Sequence, residues 1–138
     1  MQIKRSASAQ WIGAGKDGKG TLTSPSGVLS NTQYSFNTRF EDGIGTNPEE
    51  LVAAAHAGCF SMQLAFNLQG AGFTADVIDT SSQVILENGA INTIKLTTSV
   101  KAAGLTQEKF EELVNHAKVN CPISKLFNAT ITLDATLL

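Results

Sequence analysis

Asn47-Pro48-Glu49-Glu50-Leu51-Val52-Ala53-Ala54-Ala55-His56-Ala57-Gly58-Cys59-Phe60-Ser61-Met62 is the stretch on which the reading of this chain turns. Asn47 is a good helix N-cap, and Pro48 fits the first helical position, where its missing N–H costs nothing and its φ is preset. Glu50 then falls at N3, from which its carboxylate reaches back toward the Asn47 amide to close a capping box. Glu49 is left without a structural duty beyond favouring the positive end of the helix. From Leu51 onward alanine, leucine, phenylalanine and methionine occupy nearly every side until Gln69, and Gly70 and Gly72 stop the run. About 22 residues at 1.5 Å each make a rod of roughly 33 Å, comparable with the diameter of a small domain. A helix apolar all round must be buried all round. One three-stranded sheet and two short helices supply too little cover, so the sequence predicts a second subunit.

The flanks of this helix read as strands and shorter helices. Residues 3–11 alternate weakly, and the glycine-rich residues 13–20 read as a turn, lacking the Gly-Lys-Ser/Thr ending of a phosphate loop. From Gln33, Tyr34, Phe36, Thr38 and Phe40 alternate with Ser35, Asn37 and Arg39, which predicts a strand with Arg39 opposite an aromatic face. Residues 75–87 and 90–101 are two strands joined by Asn88-Gly89, a strong type I′ hairpin signal, with Ile94, Leu96, Thr98 and Val100 facing inward. Thr106 caps an amphipathic helix carrying Phe110, Leu113, Val114 and Ala117, a face that Cys121 continues. A last strand alternates Ile131, Leu133, Ala135 and Leu137 with polar residues. The order strands, helix, strands, helices, strand, with no repeat or linker, predicts one α+β domain over residues 1–138.

Composition narrows the function. The 138 residues are 42% apolar, enough for a real core, and the formal charge of −2 argues against nucleic acid as a partner. Lys4-Arg5 and Lys16 to Lys19 read as solvated strand ends. Met1 to Arg5 is followed by Ser6, Ser8 and Gln10 rather than an apolar signal segment, and no stretch reads as a membrane span. These features predict a soluble cytoplasmic protein, where a standing disulfide is unusual and a transient, catalytic one expected.

Cys59 and Cys121 are the two cysteines. In Cys121-Pro122-Ile123-Ser124 the proline sets a helix start and leaves the cysteine at its N-cap, where free amides and the dipole favour a thiolate. One thiol placed to ionise and a second elsewhere suit a peroxidatic and resolving pair. Other chemistries use the same residue types. His56, Cys59, His116 and Cys121 match zinc ligands, although H-x2-C and H-x4-C are not the spacings of structural zinc modules. His56, one turn before Cys59, offers a base for a Cys-His acyl transferase, although a lone histidine in so alanine-rich a buried stretch is more often a satisfied core residue. Two small buried hydrophobes is the plainest reading, and it suits Cys59 better than Cys121.

Three linked motifs then point to a family. Phe36-Asn37-Thr38-Arg39-Phe40, Gly45-Thr46-Asn47-Pro48-Glu49-Glu50-Leu51 running into Ala54-Ala55-His56-Ala57-Gly58-Cys59-Phe60-Ser61-Met62, and Cys121-Pro122-Ile123-Ser124 closely resemble the OsmC/Ohr superfamily. The first segment and the Ala-His before the first cysteine resemble its OsmC (osmotically inducible protein C) branch, and Gly58 departs from the alanine common there. The resemblance runs essentially end to end. It implies an OsmC-like α+β fold in which antiparallel sheets pack around long central helices of an intertwined homodimer. It also implies a thiol peroxidase that reduces organic hydroperoxides, and hydrogen peroxide more weakly, with Cys59 as peroxidatic nucleophile and Cys121 as resolving thiol. Arg39 and Glu49 match the arginine and carboxylate that hold the thiolate. No bound cofactor or metal is implied, only an external dithiol or lipoylated reductant, and neither nucleic acid nor membrane is a partner. The competing expectation is a redox sensor or a hydrophobic-ligand-binding dimer with little turnover, since the apolar surroundings of Cys59 suit either.

Overall fold

Six strands and four helices make up the computed structural model, which describes residues 1–138. They group into two compact units, residues 1–51 and 52–138, with the division falling inside the longest helix.

In the first unit β1 (Ser8–Ile12), β2 (Lys19–Thr23) and β3 (Thr32–Tyr34) form an antiparallel sheet in that order. Ile12 pairs with Lys19, so the glycine-rich run is a hairpin turn, as its composition predicts. Trp11 and Tyr34 lie on either side of Gly20 in register, their ring centroids 5.4 Å apart. The strand expected to continue through Phe40 ends at Tyr34 instead. Residues Phe36–Phe40 are a short helix, α1, because Ser35 and Thr38 form a reciprocal capping box. The Thr38 amide donates to the Ser35 hydroxyl at 3.3 Å and the Ser35 amide to the Thr38 hydroxyl at 2.7 Å. Phe36 and Phe40, four apart, then meet ring to ring at 4.8 Å. Helical pairing accounts for the same two phenylalanines as the alternation did.

Gly45 turns the chain back with φ +120°, and a Cβ there would fall on the Gln33 carbonyl oxygen. This close pass lets the Thr46 amide donate to that oxygen at 2.9 Å and brings Asn47 to the start of α2 (Pro48–Gly70). Asn47 is the expected cap: its Oδ1 accepts from the Glu50 amide at 2.7 Å, while its Nδ2 donates to the Thr38 carbonyl at 2.9 Å. Glu50 departs from the expected box, since its carboxylate accepts from the Thr46 hydroxyl at 2.6 Å.

The second unit is built on β4 (Ala75–Glu87), β5 (Ala90–Ala102) and β6 (Thr130–Leu137), in that order. Asn88 and Gly89, with φ of 52° and 77°, close the β4–β5 hairpin between Glu87 and Ala90 as the dipeptide predicts. β6 pairs with β5 in parallel, which corrects the expectation of wholly antiparallel sheets. Parallel neighbours need a crossover, and α3 (Gln107–Asn120) and α4 (Pro122–Leu126) supply it. Ile94, Leu96, Thr98 and Val100 face inward and are buried, as are Phe110, Leu113, Val114 and Ala117 of α3.

Against this core α2 buries one stripe only, His56, Phe60, Leu64 and Leu68, spaced four apart. The expectation of burial on every side therefore fails within a single chain. Met62 and Phe66 are 64% and 63% exposed. The reading that no stretch reaches a membrane span also needs correction, because α2 is long and apolar enough by length and composition alone. Its buried stripe is nevertheless committed to the core of this unit.

Candidate active site

Arg39 and Glu49 come together in the first unit. Ending the β3 strand early places Arg39 in the last turn of α1 rather than on a strand, and capping by Asn47 fixes Glu49 in the first turn of α2. Arg39 Nε and Nη2 both donate to Glu49 Oε1, at 2.9 and 2.8 Å. Such a fork holds a guanidinium in one plane. Glu49 Oε2 is buried without a partner, and the arginine side chain stays 42% exposed beside an open polar recess that Asp42 and Glu50 also line. The site thus presents an oriented cation to solvent.

Cys59 and Cys121 come together in the second unit. Cys121 caps α4 as its sequence predicts, with Pro122 at the first helical turn and Sγ accepting the Ser124 amide at 3.3 Å. Both cysteines are free thiols; Cys121 is fully buried and Cys59 packs against the same core cluster. Burial pushes the Cys59 thiol above its usual pKa, the Ile123 backbone amide opposes that shift, and the neighbouring Cys121 side chain adds to it. Within its own unit, then, Cys59 is held in the thiol form.

His56 is the buried core histidine that its alanine-rich surroundings suggest. Its Nε2 lies 2.7 Å from Ser124 Oγ, and its ring meets Phe127 edge-on at 5.2 Å, so its hydrogen bond goes to Ser124 and not to Cys59. Burial lowers its pKa and keeps the ring neutral. His116 is exposed on α3, with Nδ1 3.1 Å from Asn67 Nδ2. No three His, Cys, Asp or Glu side chains of the chain gather in a way that would hold a metal ion.

Residues 41–136 match the family described as OsmC-like protein. The chain belongs to that family. It is 46% identical over 138 residues to peroxiredoxin OsmC of Escherichia coli strain K12, covering 97% of this chain and 96% of the relative. It is also 37% identical over 109 residues to the organic hydroperoxide resistance protein OhrB of Bacillus subtilis strain 168, covering 77% and 79% of the two chains. The crystal structure of an OsmC-like protein from Mycoplasma pneumoniae superposes with a TM-score of 0.79 at 13% identity, covering 100% of this chain and 99% of that one. That of the B. subtilis OhrB superposes with a TM-score of 0.64 at 29% identity, covering 96% and 98%.

One residue in contact with Cys121 was not singled out by the sequence reading. Ser124 stands three residues after Cys121, the N3 position that in a capping box answers the N-cap. That spacing was a usable signal for contact with Cys121. Contact with His56 was not legible, because the two lie 68 residues apart.

Proposed function

We propose that this OsmC-like chain is a cysteine peroxidase that reduces organic hydroperoxides, and hydrogen peroxide more weakly, in the reducing cytoplasm. The single observation that carries the reading is the meeting of Cys59 and Cys121, two free thiols, in one core. The relatives named peroxiredoxin OsmC and organic hydroperoxide resistance protein support the substrate class. In the cycle the Cys59 thiolate attacks the peroxide, the O–O bond breaks, and the alcohol leaves while the sulfur becomes a sulfenic acid. Cys121 condenses with it to a disulfide and water, and an external dithiol, free or lipoylated, restores both thiols. The cycle calls for no bound metal or cofactor, so activity should persist in EDTA.

Ionising Cys59 needs help from outside its unit. Burial raises its pKa, whereas an ordinary thiol near 8.5 is already only about 3% thiolate at pH 7. Arg39, always charged and oriented by Glu49, is the cation suited to that task. Glu49 and Cys59 lie ten residues apart on the continuous α2, about 15 Å by helical rise. We therefore assign the pair to the Cys59 of a second copy. The exposed face of α2 supports such a dimer: Ala55, Gly58, Met62 and Ala65 repeat at alternating three- and four-residue spacing, the seam along which helices pack.

The test is a steady-state assay comparing cumene hydroperoxide with hydrogen peroxide, using a dithiol reductant, together with intact mass after one equivalent of oxidant. Cys59→Ser should lose all turnover, and Cys121→Ser should gain one oxygen and stall. Oxidation that occurs once without turnover in the wild type would make the protein a sensor instead.

A further inference from the structure

The cycle above leaves one fully buried titratable group unused. His56 has no exposed surface; its Nε2 stands 2.7 Å from Ser124 Oγ, and that oxygen stands 3.1 Å from Cys121 Sγ. The Ser124 amide reaches the same sulfur at 3.3 Å. Groups from α2 and α4 thus form one line that ends on the resolving sulfur, and its protons must run in one direction. If the Ser124 hydroxyl donated to Nε2, the neutral ring would carry its proton on Nδ1, which is buried with no partner. An unpaired buried N–H bears the full desolvation cost of a donor. If Nε2 carries the proton, it donates to Ser124, the hydroxyl turns toward Cys121, and Nδ1 keeps only a bare lone pair. Among buried backbone groups, orphaned donors are rarer than under-satisfied acceptors, and the same preference puts the proton on Nε2.

We propose that His56 and Ser124 are positioning residues for the resolving step: the His56 Nε2–H holds the Ser124 hydroxyl toward Cys121 Sγ, and that hydroxyl and the Ser124 amide together bind the negative charge uncovered on the sulfur as its proton passes to the leaving oxygen of oxidised Cys59. The inference rests on the peroxidase reading. In the step itself the Cys121–Cys59 S–S bond forms and the S–O bond of the sulfenic acid breaks. The departing hydroxide takes the Cys121 thiol proton and leaves as water, so the histidine gives up no proton. The titratable groups facing the line are the two thiols, while Lys125 of α4 is turned to solvent.

A single turnover with one equivalent of cumene hydroperoxide, quenched and followed by mass spectrometry, separates sulfenic acid formation from disulfide formation. Ser124→Ala and His56→Leu should slow disulfide formation about tenfold, the loss of one hydrogen bond to a charged group, while sulfenic acid forms at a rate within about threefold of wild type. His56→Gln, whose amide N–H replaces Nε2–H, should restore the second step to within about threefold. A packing role alone predicts that the apolar His56→Leu resolves at least as well as His56→Gln. Unchanged disulfide formation in Ser124→Ala, or His56→Gln as slow as His56→Leu, would overturn the proposal. Nitrogen NMR of the His56 ring in the reduced wild type tests the polarity without peroxide, and without variants that could misfold. A proton on Nε2 supports the line as drawn, and a proton on Nδ1 reverses it and defeats the proposal. Failure of wild-type Cys59 to form a sulfenic acid counts against the peroxidase reading alone, and the NMR result still decides the line.

Discussion

At His56 a buried imidazole ties the stability of the fold to pH. Burial holds its pKa below the ordinary 6.5, so above that pH the ring is neutral in both folded and unfolded chains and nothing is lost. As pH falls below about 6.5, the unfolded chain binds a proton that the folded chain refuses, and stability declines until the folded pKa is passed. One such group changes stability by at most about 1.4 kcal/mol per pH unit. Urea midpoints measured between about pH 5 and 7 should therefore fall with acidification in the wild type and fall less steeply in His56→Gln. Parallel slopes in the two proteins would show that His56 titrates like a solvated histidine. The burial of His56 was legible beforehand, and its partner was not. An alanine-rich helix gives a lone histidine no local signal of its partner, and the serine that engages it belongs to another element. The cysteines were easier, because proline after Cys121 fixes a helix start whatever the tertiary context.

Capping chemistry decided three elements, two as expected and one against expectation. The Asn47-Pro48 start of α2 and the Thr106 start of α3 were legible because an N-cap acts over three residues and needs no distant partner. In residues 33–40 the apolar alternation competed with the Ser35–Thr38 box, and the reciprocal hydrogen bonds prevailed. The parallel pairing of β6 was beyond reach for another reason: alternation marks which face of a strand is apolar, not which way the strand runs. The caps also differ in what they hold. Ser35 supports α1 alone, whereas Asn47 caps α2 and bonds the Thr38 carbonyl of α1, locking together the elements that carry Glu49 and Arg39. Ser35→Ala should cost about 1 kcal/mol. Asn47→Ala should cost about 2 kcal/mol, because a second hydrogen bond goes with the cap. Chemical denaturation checks the order, and equal losses would mean that the Asn47–Thr38 bond contributes nothing to stability.

On the scale of the whole molecule, the exposed seam of α2 and the solvent-facing Arg39 raise the same question of what completes them. The helix has Met62 and Phe66 largely uncovered, while Ala55, Gly58 and Ala65 keep its face low enough for close approach by another helix. A two-fold dimer places the same patch on both sides of the contact and so covers both seams at once. Each of its two sites would join the cysteines of one protomer to Arg39 and Glu49 of the other. This arrangement makes a prediction that no single-chain site can meet. Cys59→Ser and Arg39→Ala homodimers should each be inactive, since every site in them carries a defect. After mixed refolding, each heterodimer has one site with wild-type Cys59 facing wild-type Arg39, while its other site carries both lesions. Activity per heterodimer should recover to about half that of the wild-type dimer, two equivalent sites being reduced to one. Mass spectrometry under native conditions counts the heterodimers, and the peroxidase assay reads the recovery. Verified heterodimers without activity would return both residues to one protomer and remove the need for a partner in ionising Cys59.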